Sequence, residues 1–306
     1  MPSSKIAQKK LNTNSQAASA AEAGLKYQNT TDGWGLRADF DDEHLVFSGD
    51  FNKRSIWQKI VDFFIPPNFA KASSGKRNGG EDIDVYNLFS KNAKDAWNQS
   101  YNIAKNQRRD VGEEAIFLAL IGESSVKNLL ARMKVDAGAA AKLISNYLML
   151  GPIPTPKTVK KIPFEAFKLA VKLRGHKIGS LMLLGALLNA TPEENILQAI
   201  FSNAGLTIDK LEVLTVWIVN LGYEFPPNSK NAKLLYCCLQ AESLEQHFGY
   251  FFEFPAIEAA VNLSSGQSLK DLEHKKALRI LVKAGSLARG KGTKVITESL
   301  VRQAAN

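Results

Sequence analysis

Long apolar runs, separated cysteines and clustered histidines are all missing from this chain. No apolar stretch reaches the roughly 18–20 residues that a membrane-crossing helix needs. The residues before Thr31 are polar and rich in Ala, Ser, Asn and Gln, without the apolar core of a secretory signal. A cytoplasmic location is the resulting expectation. Cysteine is confined to the adjacent pair Cys237 and Cys238. Neighbouring cysteines seldom meet the facing-Cβ geometry of a disulfide, so both are read as small apolar residues of a buried helix, which suits a reducing compartment. His44, His176, His247 and His274 are scattered, with no pair at ligand spacing on one helix face. No metal site is expected, and no Ser–His–Asp set can be assembled. The nearest approach to a phosphate loop is Gly285-Ser286-Leu287-Ala288-Arg289-Gly290-Lys291-Gly292. Gly292 stands where a Mg²⁺-holding Ser or Thr is needed, and a helical pattern rather than a strand precedes the loop. No catalytic residue, cofactor or metal is therefore expected.

Charge is present in excess and unevenly spread. The formal net charge is +9. Ser268 to Asn306 carries nine Lys or Arg against three Asp or Glu, and the tail before Thr31 carries four Lys against Glu22. The ends hold the surplus and the middle is close to neutral. Basic ends attract nucleic acid or anionic surfaces, although a solvated basic face is the simpler reading.

The organisation reads in five parts. Residues 1–30 have too few large apolar side chains to offset ordering entropy and are expected to be disordered. Residues 31–68 are expected to form a β-hairpin, from the alternation of Leu36, Ala38 and Phe40 and the run Leu45-Val46-Phe47, followed by an amphipathic helix over 54–64. That helix carries Ile56, Trp57, Ile60, Val61, Phe63 and Phe64 and stops at Pro66-Pro67. It suits either a helix packed on the protein or one lying on a membrane surface. Residues 69–83 read as a linker, 84–222 as a helical repeat and 223–306 as a further helical region.

The repeat rests on two similar stretches, Val111-Gly112-Glu113-Glu114-Ala115-Ile116-Phe117-Leu118-Ala119-Leu120-Ile121 and Ile178-Gly179-Ser180-Leu181-Met182-Leu183-Leu184-Gly185-Ala186-Leu187-Leu188, 67 positions apart. Each lies between amphipathic helical patterns. Four helices then a Pro/Gly break, twice, predict eight helices with pseudo-twofold symmetry and a mainly α fold. Ser90 or Asn92 is expected to cap the first helix, Ser180 the sixth and Asp209 the eighth, with Pro163 in the first turn of the fifth. Glu113 and Glu114 oppose the positive end of a helix dipole, a capping role more than acid–base chemistry. Ile196, Ala199, Ile200 and Phe201 are expected to form the apolar face of the seventh helix. Trp97, Tyr101, Phe201 and Trp217 sit at helical spacing, as core residues do. Beyond Pro226-Pro227, helices are expected over Ala232 to His247, Pro255 to Ser264 and about Leu272 to Arg289, then an extended Lys294-Val295-Ile296 and a last helix capped by Thr297.

Leu169-Ala170-Val171-Lys172-Leu173-Arg174-Gly175-His176-Lys177-Ile178-Gly179-Ser180, with Leu183-Leu184-Gly185-Ala186-Leu187-Leu188, resembles the amino-terminal repeat of Clp-family AAA+ unfoldases. His176 falls on that family's Gly-His. The first unit keeps Val111-Gly112 and Leu118-Ala119-Leu120-Ile121 but has Arg108-Arg109 near the Gly-His and Glu113 in place of the usual Thr. The later turns, Val135-Asp136 and Gly205-Leu206-Thr207-Ile208-Asp209, also correspond. The likeness covers about 135 residues. Glu245-Gln246-His247-Phe248-Gly249 and Pro255 to Ser264, with Lys276 to Leu281 and Val295-Ile296-Thr297, resemble the small helical lid of a Clp-type AAA+ module. Arg279 and Lys283 replace acidic residues of that lid. A working family member places a nucleotide-binding subdomain between repeat and lid. Here 45 residues separate Asp209 from Pro255, with no strand–glycine loop–helix cradle.

The resemblance implies a non-catalytic module that docks protein substrates, adaptors or a Clp-type unfoldase in an unfolding or proteolysis pathway. The candidate surface is a groove between the two units, near Arg108, Arg109, Glu113, Glu114, His176, Lys177 and Ser180. The alternatives are a degenerate accessory subunit of an AAA+ ring, and a basic nucleic-acid or membrane-surface binder. Among the latter, membrane contact would use the Trp57 helix and nucleic acid is the less expected partner.

Overall fold

The computed structural model describes residues 36–40, 45–49, 81–150, 159–264 and 270–306, with side chains over 84–150, 159–264 and 275–306. The expected disordered tail, the amphipathic segment 54–64 and the body of the linker lie outside these residues. Two compact units divide the chain, Met1–Asn87 and Leu88–Asn306.

In the first unit the expected hairpin is present. Strands β1 (Leu36–Phe40) and β2 (Leu45–Gly49) pair antiparallel, with Ala38 opposite Phe47. A third strand, β3 (Glu81–Asp84), continues the sheet antiparallel to β2. This corrects the end of the expected linker. The sequence Glu81-Asp82-Ile83-Asp84 has weak strand propensity, and the neighbouring backbone of β2 supplies the pairing that its side chains do not predict. Helix α1 (Val85–Leu88) follows.

The second unit is mainly α-helical. Among the described residues its first eight named helices are α2 (Lys91–Asn106), α3 (Glu113–Ile121), α4 (Ser124–Arg132), α5 (Ala137–Leu150), α6 (Lys161–Lys172), α7 (Ser180–Ala190), α8 (Ile196–Asn203) and α9 (Ile208–Val219). They form two sets of four, α2–α5 and α6–α9, and corresponding pairs pack alike. The pair α2 and α3 matches α6 and α7, and the pair α3 and α5 matches α7 and α9.

Helix endings repeat as well. Arg108 after α2 and Arg174 after α6 are both left-handed at φ 55°, and Lys134 after α4 (φ 63°) matches Gly205 after α8 (φ 61°). At each, the next residue's N–H reaches back to the carbonyl of Ala104, Ala170, Leu130 or Phe201, at 2.8–3.0 Å. This is the Schellman closure, which satisfies carbonyls a helix end would otherwise leave bare. Two Arg and one Lys therefore occupy a backbone conformation that glycine fills most easily.

The starts differ from expectation at several points. Ser90 does cap α2, its Oγ accepting from the Ala93 N–H at 3.2 Å. Gly179 rather than Ser180 is the N-cap of α7, so Ser180 is the first helical residue. Thr207 rather than Asp209 caps α9, its Oγ1 accepting from the Lys210 N–H at 3.4 Å, and Asp209 lies in the first turn. The N-cap thus falls one position before Ser180 in α7 and two positions before Asp209 in α9. Helix α6 begins at Lys161, two residues before Pro163, where a missing N–H still costs nothing. In α8 the buried residues are Leu197 and Phe201, while Ala199 is exposed. Trp97, Phe201 and Trp217 are core residues and Tyr101 is exposed.

Helices α3 and α7 are apolar on nearly every side and run through the centre. Phe117 of α3 meets Phe201 of α8 edge-to-face at 5.5 Å. Gly185 permits the closest approach in the second set. A Cβ there would come within 2.6 Å of Leu169 Cδ2 and 2.9 Å of Leu211 Cδ2. The two sets are also joined by backbone, since Ser90 donates to the Ile178 carbonyl and the Ile178 N–H donates to the Leu88 carbonyl, both at 2.9 Å.

A C-terminal layer closes over this core. It comprises α10 (Lys230–Phe248), β4 (Phe251–Phe252), α11 (Phe254–Ser264), α12 (Lys270–Gly290), β5 (Val295–Ile296) and α13 (Glu298–Ala305). The β4 and β5 strands pair in parallel. Thr297 is the N-cap of α13 without a side-chain cap bond. Cys237 and Cys238 are free and buried in α10. Burial pushes the Cys237 thiol up to about 12 and the Cys238 thiol well above its ordinary value. Among the described residues no helix is long and apolar enough to cross a membrane.

Candidate functional site

The residues around the starts of α3 and α7 fall into two groups. At α3, Gly112 is the N-cap, and Glu113 and Glu114 occupy the first turn, where both are buried. A carboxylate there faces unpaired N–H groups and the positive end of the dipole. Glu114 Oε1 accepts from Asn195 Nδ2 at 2.8 Å, which ties α3 to the N-cap of α8. Tyr147 of α5 stands in the same field. Burial raises its phenol above the ordinary value, Glu114 and Glu113 raise it further, and Arg109 opposes them. Arg109 is half-buried and Arg108 is exposed.

The second group lies at α7. His176 and Lys177 are exposed, immediately before the Ile178 backbone that pairs with Leu88 and Ser90. Ser180 is buried, and its Oγ has no hydrogen-bond partner among the described residues. Glu113, Glu114 and Ser180 therefore serve packing, while Arg108, His176 and Lys177 face solvent. The phosphate-loop-like stretch is helical through Gly290, and the amides of Lys291, Gly292 and Thr293 are spent on carbonyls of that helix. Among the described residues no group of three His, Cys, Asp or Glu side chains could hold a metal ion.

Sequence reasoning missed two features. The first is a junction built on Arg132, at the end of α4. Arg132 is 7% exposed. Its guanidinium makes paired hydrogen bonds to Glu245 of α10, both at 2.9 Å, and donates to the Phe252 carbonyl at 3.1 Å. It also lies 3.9 Å from the Trp217 ring centroid. Nearby, Trp217 Nε1 donates to Glu242 at 3.0 Å, Lys134 pairs with Glu253 at 3.2 Å, and Lys210 and Lys230 pair with Glu258 at 2.8 and 3.1 Å. The charged groups come from positions far apart in sequence, so no local motif signals the junction.

The second feature is a contrast between the fourth helices of the two sets. In α9, Leu211 to Trp217 are all buried, with α7 on one side and α10 on the other. In α5 only Ala140, Ile144 and Leu148 are buried. Leu143, Met149 and Leu150 are 49%, 62% and 89% exposed. Leu143, half-buried Tyr147 and Leu150 follow helical spacing and form a stripe beside the Glu114 cluster. The signal was present as an apolar run with surplus large residues, but periodicity alone cannot say which of two faces is covered.

The architecture is that of a mainly α-helical protein with an internal duplication. No family model and no curated protein matches the chain. Among solved structures it is similar to the crystal structure of the Hsp104 N-terminal domain from Candida albicans, at 20% identity and a TM-score of 0.35, covering 42% of this chain and 89% of that one. A score of this size carries no argument about function, and the helical architecture stands on the elements described above.

Proposed function

We propose that this protein is a non-catalytic docking module for other polypeptides, of the Clp chaperone and protease type, and that α5 provides its principal contact. The reading is carried by one observation. Two sets of helices are built alike, yet α9 is covered by α10 and α5 leaves Leu143, Met149 and Leu150 in solvent. Contiguous exposed apolar side chains rimmed by polar groups mark interaction sites. The helix on α9 illustrates the kind of ligand that fits such a face, a helix that buries a stripe of apolar residues, here Leu234, Cys237, Cys238 and Ala241. Arg108, Arg109 and the Tyr147 hydroxyl supply a polar rim, and His176 and Lys177 offer a second exposed basic edge. The repeat's likeness in sequence to the Clp amino-terminal domain supports a substrate or adaptor as the occupant, and the lid-like C-terminal sequence fits the same pathway.

The test is capture of purified Clp-type unfoldases and unfolded model substrates on the immobilised full chain. Leu143→Glu with Leu150→Glu is expected to weaken capture at least tenfold while leaving the thermal transition in place. Capture unchanged by the double substitution, or ATP hydrolysis by the chain alone, would overturn the reading.

A further inference from the structure

The solvent face of α12 is strongly basic. From Lys275 to Ile296 the sequence contains no acidic residue. Lys275, Lys276, Arg279, Lys283 and Arg289 are all exposed, and Lys291 continues them past the helix end. At 100° per residue these positions share one side of the helix. Ala277, Ile280, Leu281, Ala284 and Ala288 on the other side are buried. The face is thus a cationic row about 24 Å long, from the 1.5 Å rise per residue.

An aromatic group adjoins the end of this row. Gly249 adopts a left-handed turn at φ 66° and ends α10, leaving Phe248 53% exposed. The Arg289 guanidinium lies 5.7 Å from the Phe248 ring centroid. Tyr250 flanks the same ring at 5.9 Å, tilted 32°, and His247 at 6.3 Å. Tyr250 is seated on α12, since a Cβ on Gly285 would come within 3.0 Å of its ring. The ring is fixed in place without being covered.

We propose that α12 and the Phe248 cluster form a binding surface for single-stranded nucleic acid. Phosphates run along the row from Lys275 to Lys291, and a base stacks on Phe248 beside Arg289. Charge complementarity selects a polyanion, and the exposed ring selects one with flat apolar groups between its charges. Single-stranded nucleic acid has both, and base stacking is tolerant of sequence. An acidic protein surface would leave Phe248 unused. An anionic membrane would call for more inserted apolar area than one ring and Val282 supply. This surface is separate from the α5 stripe, so neither reading depends on the other.

The experiment is fluorescence anisotropy of a labelled deoxythymidine oligomer of about 20 nucleotides with the full chain over a salt series. Engagement of four phosphates gives a slope of log K against log salt of about −3. Phe248→Ala is expected to weaken binding about tenfold with the slope unchanged. Arg279→Gln with Lys283→Gln should lower both affinity and slope. These exposed substitutions should leave the melting transition intact, which circular dichroism checks. Three results would each overturn the proposal: no oligomer binding at low salt, equal binding to polyglutamate with no Phe248 effect, or binding to phosphatidylserine vesicles and not to the oligomer.

Discussion

The two four-helix sets share connectivity, left-handed helix ends and buried central helices, yet they differ in what is packed on them. The second set has Gly185 at its centre, where the first has Leu118, half-exposed. Gly185 lets α6 and α9 close on α7, and α9 is then roofed by α10. Among the described residues no helix roofs α5 as α10 roofs α9, but the α4 end of the first set reaches the C-terminal layer through Arg132, where the second set has exposed Asn203. The two sets share a framework, and differences at a few positions set one into internal packing and leave apolar side chains of the other exposed.

The largest expected effect tests the junction peculiar to the first set. Arg132→Ala leaves Glu245 paired only with the Phe252 N–H at 2.7 Å. Removing one partner of a buried ion pair costs about 3–5 kcal/mol, readable as a drop in the urea midpoint. An unchanged midpoint would mean the junction contributes nothing to the fold. Gly185→Val comes next. Overpacking a closed core costs about 1–3 kcal/mol, and Leu118→Val at the corresponding open position should cost less. Equal costs would erase the packing difference between the sets.

A smaller effect concerns Glu258, which joins the second set to the C-terminal layer. Burial pushes its carboxyl up, but hydrogen bonds and charges from Lys210 and Lys230 outweigh this, so it titrates below its ordinary value. Its contribution is fully present above the unfolded carboxyl's value and is lost as pH falls through the folded one. Glu258→Gln should therefore flatten the acid side of the stability curve below about pH 4.5. An unaltered acid limb would remove the role assigned to this pair of lysines. Smallest is Arg108→Gly, which should raise stability by about 0.5 kcal/mol by relieving the left-handed backbone that Gly205 already occupies without strain. A melting temperature that falls would show that the Arg108 side chain makes a contact worth more than the strain.

Most of the fold was legible because it depends on local periodicity. The apolar stretches at Val111 and Ile178 place two buried helices, Ser90 announces a helix start, and Lys294-Val295-Ile296 announces β5. Errors fell where two candidates lay side by side. Thr207 and Asp209 both suit an N-cap, as do Gly179 and Ser180, and the tertiary packing that sets each helix start is not visible locally. The candidate site was legible in part. Glu113 and Glu114 were read as dipole partners and are so placed, but their burial depends on Asn195 and Tyr147, which approach from other helices. Phe248 read as one apolar residue among several near the end of a helix, and only the turn at Gly249 leaves it exposed beside Arg289.

The sequence by itself determined that this is a duplicated helical protein with basic ends and inert cysteines, since periodicity and composition are properties of neighbours along the chain. Only the tertiary structure decided which fourth helix is covered, which arginine is buried and which aromatic ring meets solvent. The first two are set by residues that are distant in sequence and adjacent in space, and the third by a local turn together with distant Arg289, so burial and pairing are settled jointly rather than one residue at a time.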